Sequence, residues 1–339
     1  MDEEGTGLPV RTLRFGLIQA LGTTMMRPTL VLITATLAGL CFGCAPAGGG
    51  MKARAPQTSV PFEFPRNQIL VQVRIAGRGP FSCTVDTGAN PSVIDLSLAE
   101  SIGLQLSAEA GLAEGVGTDS VRVYQTRFDV TLGDAPTSSI TSVALDLSSL
   151  SAAFGQPLHC VLGQSWLATR AVQIDYPARR LRVGATMPQA PIASECDEFE
   201  MHFWMPDDLM PLVTVRINDI DLPVSLDTGS SGTLKLFPLG AQRAGISTPT
   251  GDSNHTVTGA RGAASVKKIA FPSLMLGPLA ARSVHGSIGD KNIDEPEGRE
   301  GNLGNGFLSE GVLDLDYPAR RIRVCAPPAV REHGGGGGT

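Results

Sequence analysis

Charge is scarce in this chain. Asp, Glu, Lys and Arg make up only 18% of its 339 residues, against 42% hydrophobic side chains. That balance excludes a disordered or highly charged scaffold and leaves ample apolar material for a core. The 27 Lys and Arg residues form no cluster and are outnumbered by 33 Asp and Glu. A nucleic-acid binder needs a basic face, so no nucleic-acid partner is expected. Histidine is rare too. The five His residues are scattered, with no His-Glu-x-x-His and no Cys/His nucleophile set, so neither a metal nor another cofactor is expected. Aromatics reach only 5%, while Gly (40) and Pro (24) are plentiful. This mixture favours short strands and many turns over long helices. The length suits two domains or one large one.

Long apolar runs are also lacking, except near the start. Arg27 precedes a stretch from Leu30 to Phe42, followed by Gly43, Cys44 and a Gly-rich segment. The run is short for a bilayer span of roughly 20 residues and has the layout of a secretory signal. With Cys44 after Gly43 it resembles a bacterial lipoprotein signal. The expectation is export to the cell envelope, with Cys44 as a possible lipidation site and membrane anchor. A cleaved soluble form and an uncleaved anchor stay open. Cys41 and Cys44 form a C-x-x-C pair, but no thioredoxin-like context surrounds them, so a redox role is set aside. Four cysteines follow: Cys83, Cys160, Cys196 and Cys325. Export permits disulfides, and four cysteines allow three pairings. Free buried thiols are the alternative, with packing the default for Cys83.

The chain repeats itself. Cys83-Thr-Val-Asp-Thr-Gly-Ala-Asn90 returns as Val224-Ser-Leu-Asp-Thr-Gly-Ser-Ser231. Leu162-Gly-Gln-Ser-Trp-Leu167 returns as Leu303-Gly-Asn-Gly-Phe-Leu308, and Gln173-Ile-Asp-Tyr-Pro-Ala-Arg-Arg-Leu-Arg-Val183 as Asp314-Leu-Asp-Tyr-Pro-Ala-Arg-Arg-Ile-Arg-Val324. All three recur 141 positions on (86 to 227, 162 to 303, 173 to 314). Chance does not hold one offset across three motifs, so the lobe is duplicated.

Each lobe reads as β. Ile69–Ile75 alternates into a Gly-containing turn, and Phe81–Val85 runs into Asp86. Val121–Leu132 and Ser265–Leu276 carry alternating apolar residues, and hairpins turn at Asp175 and Asp316. One short helix is expected per lobe: Leu96–Ile102, capped by Asp95, and 238–244. The fold class is all-β, with two duplicated β-barrel-like lobes, short helices and a cleft between the lobes. The expected organisation is an export segment at 1–44 and a linker at 45–58. Lobes at 59–187 and 199–328 flank a linker at 188–198, and 329–339 is a Gly-rich tail.

Asp-Thr-Gly alone is a weak signal; two copies, each after an apolar β run at the same place in a repeat, are a strong one. A duplicated lobe presents Asp86 and Asp227 to each other across a pseudo-twofold axis. Two acids about 3 Å apart cannot both ionise, so they share a proton. One then serves as base to a water while the other donates to a carbonyl oxygen. Gly88 and Gly229 let the backbone approach the carboxylates, and Thr87 and Thr228 can hydrogen-bond across the pair. Ala89 and Ser230 complete the loops. Trp166 and Phe307, at equivalent repeat positions, read as core.

These motifs resemble those of bacterial retropepsin-like and pepsin-like aspartic peptidases. The resemblance rests on Val85-Asp86-Thr87-Gly88-Ala89, Leu162-Gly163, Asp175-Tyr176 to Arg180-Leu181, and their second copies. It covers about 59–185 and 199–326. It implies a bilobal acid-protease fold, hairpin flaps over the cleft, an extended peptide or protein as substrate, and Asp86 and Asp227 as the catalytic pair. Both halves lie in one chain, so a monomer suffices. The flap segments Glu114–Ser120 and Val257–Ser265 carry no Tyr, which favours the retropepsin style. No basic pro-segment is evident between Cys44 and the first strand, so zymogen control is not expected.

The second motif has Ser230 where the first has Ala89. A Ser230 hydroxyl donating to Asp227 would make Asp227 the more readily ionised member and leave the proton on Asp86. The alternative to an aspartic endopeptidase is a catalytically idle, peptide-binding or scaffolding envelope lipoprotein of the same fold.

Overall fold

The structure is a computed structural model that describes residues 57–107, 109–112, 121–187, 195–205, 208–248, 254–259, 262–289 and 298–326. The export segment with Cys44, nearly all of the 45–58 linker, the first flap tip at 114–120 and the Gly-rich tail lie outside the described residues.

Alternation builds the strands. In Leu70–Ile75, Val71, Val73 and Ile75 are buried while Gln72 and Arg74 face solvent. This strand pairs with Arg78–Val85 on one side and Arg122–Leu132 on the other, which closes the first lobe into a barrel. Its seven-stranded sheet runs 70–75, 78–85, 160–162, 92–95, 138–145, 122–132, 109–112. The second lobe repeats that order as 208–217, 220–226, 301–303, 234–236, 279–289, 262–276, 254–259. One extra strand, His202–Met205, lies on its edge, and pairing of 208–217 with 262–276 closes the barrel again.

A six-stranded sheet joins the lobes, in the order 58–61, 180–184, 171–175, 312–316, 321–326, 195–200. Its central pair, Ala171–Asp175 and Val312–Asp316, is antiparallel with Gln173 opposite Asp314. Those two residues are each other's repeat counterparts, so the pseudo-twofold axis passes between them. Buried side chains from both lobes form one core that includes Val172, Ile174, Leu313 and Leu315 of this sheet.

Three expectations change. Glu195–Glu200 is a strand paired with Arg321–Ala326, so the C-terminal part of the expected 188–198 linker belongs to the joining sheet. Helices are also more numerous than one per lobe. Asp95 does cap Leu96–Ser101 by accepting from Leu98 N, and Pro238–Arg243 forms, but Ser148–Phe154, Gln164–Leu167 and Asn305–Leu308 are helical too. The latter two are only four residues long, too short for periodicity to reveal. They bury Trp166 and Phe307 in the core, as read from the sequence. Finally, Cys83 is not a packed thiol. It bonds Cys160, its register partner on the neighbouring parallel strand. Cys196 bonds Cys325 and ties together the ends of the second half of the chain.

Candidate functional site

Each Asp-Thr-Gly loop leaves a buried strand and is threaded beside a second strand running parallel to it. Val85 pairs with Leu162 and Leu226 with Leu303. The pairing carries into the loops: Asp86 N donates to Leu162 O at 3.1 Å, and Asp227 N to Leu303 O at 2.9 Å. After each threading strand a Gly is required by space. A Cβ on Gly163 would sit 2.4 Å from Ala89 O, and one on Gly304 2.6 Å from Ser230 O.

The two loops meet at the axis through their threonines. Thr87 N donates to Thr228 Oγ1 and Thr228 N to Thr87 Oγ1, both at 3.0 Å. Each hydroxyl then donates across the interface, Thr87 to Leu226 O at 2.6 Å and Thr228 to Val85 O at 2.9 Å. Both side chains are fully buried. An unmade bond there would strand a buried polar group, so this four-bond lattice fixes the relative position of the lobes.

The lattice sets Asp86 and Asp227 face to face across the axis, each carboxyl against the other loop's glycine. Asp86 Oδ1 accepts from Gly88 N at 2.7 Å, and Asp227 Oδ1 from Gly229 N at 2.9 Å. The glycines are needed for proximity, not for unusual backbone angles, since neither has a positive φ. A Cβ on Gly229 would lie 2.2 Å from the Asp86 carboxyl carbon, and one on Gly88 2.8 Å from Asp227 Oδ1. Burial first, and the Asp227 charge second, hold the Asp86 carboxyl well above the usual carboxylate range. The Gly88 N–H opposes this without offsetting it. Two carboxyls this close share one proton, and their hydrogen-bond surroundings differ.

The Ser230 hydroxyl is not the source of that asymmetry. Among the described residues it makes no hydrogen bond to Asp227 and lies against Gly304. Ser230 supports the loop through its backbone, donating to Asp227 O at 3.2 Å and accepting from Asn305 N at 2.8 Å. Ala89 is held the same way, its carbonyl accepting from Gln164 N at 2.8 Å. The side-chain donor on Asp227 Oδ2 is Asn302, at 2.8 Å.

Sequence reasoning missed several contributors. Gln164 Nε2 donates to Thr87 O, and its repeat counterpart Asn305 donates to Thr228 O at 2.6 Å. The 141-residue offset places these two amides opposite each other, which was the available signal. Asn305 is in turn held by the Tyr176 hydroxyl at 2.6 Å. Gln68 and Asn67 reach from the first lobe to Gly229 O (3.0 Å) and Ser231 O (3.1 Å). No motif marks those two.

A hairpin extends from the second lobe. Asn254–Gly259 pairs with Gly262–Leu276, with Val257 opposite Ala264, and contains the expected second flap apart from its tip at 260–261, which lies outside the described residues. It reaches the other lobe, where it lies against helix Ser148–Phe154.

The family profile described as "Aspartyl protease" matches this chain twice, over residues 71–166 and 213–307. A comparison with curated proteins gives no match. Among solved structures, the chain is similar to a retropepsin-like aspartic protease from Rickettsia conorii. The identity is 16% and the TM-score 0.31, over 41% of this chain and 100% of that one. Each profile match contains one Asp-Thr-Gly loop and the strand threaded beside it, and together they span more than half of the sequence: the chain belongs to the aspartyl protease family.

Proposed function

We propose that this protein is an aspartic endopeptidase in which Asp86 and Asp227, from one chain, hydrolyse peptide bonds through an activated water. The observation that carries the reading is the reciprocal Thr87–Thr228 lattice, which presents the two carboxyls to each other across the axis. Asp227 takes a proton from the water as its oxygen attacks the scissile carbonyl carbon. Asp86 gives its proton to the carbonyl oxygen, producing a gem-diol. On collapse the C–N bond breaks, the proton on Asp227 passes to the leaving nitrogen, and Asp86 recovers one from the diol. An extended peptide would lie under the 254–276 hairpin and pair with strand edges, leaving its side chains to fill alternate pockets.

The expected location is the cell envelope. Two disulfides, one in the first lobe and one in the joining sheet, suit an oxidising compartment. Palmitate labelling that is lost in Cys44→Ala would establish the anchor; labelling that persists would place it elsewhere.

The test of function is hydrolysis of a diverse peptide library between pH 3 and 8. Wild type should cleave and be blocked by a statine-type transition-state mimic. A folded wild type that cleaves nothing across that range would refute the reading.

A further inference from the structure

The repeat makes a controlled comparison possible around each carboxyl. In the second lobe, Ser225 and Asn302 are register partners on the parallel strands that flank Asp227. Their counterparts 141 residues earlier, Thr84 and Val161, are register partners in the first lobe. The frames match and the chemistry does not. Asn302 Nδ2 donates to Asp227 Oδ2 at 2.8 Å. Its Oδ1 accepts from the Ser225 hydroxyl at 2.5 Å, and that hydroxyl also reaches Gly301 O at 3.2 Å. A carboxylate only accepts, so the amide nitrogen must face it, and Ser225 holds that orientation. In the first lobe Val161 offers Asp86 no hydrogen bond, and among the described residues the buried Thr84 hydroxyl has no partner.

We propose that Asn302 is a positioning residue of the pair. Its carboxamide, oriented by Ser225, keeps Asp227 as the carboxylate that receives the proton from water and leaves Asp86 as the proton donor to the substrate carbonyl. The assignment of steps rests on the hydrolytic reading above; the hydrogen-bond asymmetry does not. Both oxygens of Asp227 already accept N–H bonds, from Gly229 and Asn302, so the shared proton is better placed on Asp86. Two charged residues lie near this arrangement. Asp86 lies across the axis. Lys235, paired in register with Asn302 on the next strand, holds its ammonium 5.6 Å from the centre of the Phe237 ring.

The test uses the full chain with aspartate carboxyl carbons labelled with 13C, titrated by NMR, beside pH profiles of kcat/KM on a cleaved peptide. Asn302→Val copies the first lobe's residue. It should raise the lower ionisation step of the pair by about one unit and move the acid limb of kcat/KM upward with it, while KM changes little. Asn302→Gln keeps a carboxamide and should undo most of the shift. Ser225→Ala keeps the donor but frees its orientation, and should move the limb the same way by less. Thermal unfolding of each variant confirms that it is folded, and Ser225→Ala serves if Asn302→Val is not. An unmoved titration and limb in folded Asn302→Val, or in Ser225→Ala where it stands in, would overturn the proposal and leave Asn302 a packing residue. If wild type cleaves no peptide, the hydrolytic reading fails, and the NMR titration still decides the role of Asn302.

Discussion

The two lobes hold their aspartates in the same frame and surround them differently. Both use a buried strand, a parallel threading strand, a Gly forced by contact and a bracing amide, Gln164 in one and Asn305 in the other. Beneath the first aspartate lie a disulfide, Cys83–Cys160, and the apolar Val161. Beneath the second, Val224 and Gly301 replace the disulfide, and Asn302 with Ser225 replaces Val161 with Thr84. Symmetry places the carboxyls. The departures from symmetry decide how firmly each lobe is held and which carboxyl carries the proton.

The disulfide is the largest departure in stability. Replacing Cys83 and Cys160 together by Ala should cost about 4 kcal/mol, since the bond closes a long loop in the unfolded chain. Amide exchange should rise chiefly in 70–85 and 160–162 and hardly at all in 208–226 and 301–303. Uniform loss in both lobes would mean they do not differ in this way.

The threonines test the part that is symmetric. Thr87→Val and Thr228→Val each remove one donor and strand one buried N–H, so each should cost about 2 kcal/mol by denaturant unfolding. Unequal costs would show that the lattice leans on one lobe.

The proton on Asp86 gives a pH signature. Its folded-state value is raised, so folded and unfolded chains bind that proton equally well only below the ordinary carboxyl range, about pH 4. Above it the unfolded chain gives up the proton more readily, and stability falls as pH rises toward the raised value. Asp86→Asn removes that penalty. Its Tm should match wild type near pH 3 and exceed it increasingly at higher pH. A constant Tm difference would contradict the assignment.

The smallest effect is expected from Ser230→Ala. Because Ser230 serves through its backbone, the acid limb should stay within about 0.2 unit of wild type, against about one unit for Asn302→Val. A large shift would return the donor role to the serine hydroxyl.

Much of this was legible in the chain. The constant offset carried the duplication, the Asp-Thr-Gly pair and the all-β lobes, because each motif is continuous in sequence. Asp95 was readable as a cap because capping is local. What escaped depends on distant partners. Pairing Cys83 with Cys160 requires the parallel register of two strands 77 residues apart. Asn302 sits just before the second Leu-Gly copy and carries no signal of its own, and Ser230 was favoured because adjacency in sequence is easier to see than adjacency across a sheet. Gln68, which reaches Gly229 O, belongs to no motif. The first four residues of the strand Glu195–Glu200 read as linker because acidic residues dominate it and its partner, Arg321–Ala326, is distant in sequence.

The most direct measurement compares peptide hydrolysis by wild type, Asp86→Asn, Asp227→Asn and an equimolar mixture of the two variants. A pair built within one chain predicts that each variant loses at least about 10³-fold in kcat/KM and that mixing restores nothing. Activity retained by either variant, or recovered on mixing, would contradict a single-chain dyad of Asp86 and Asp227.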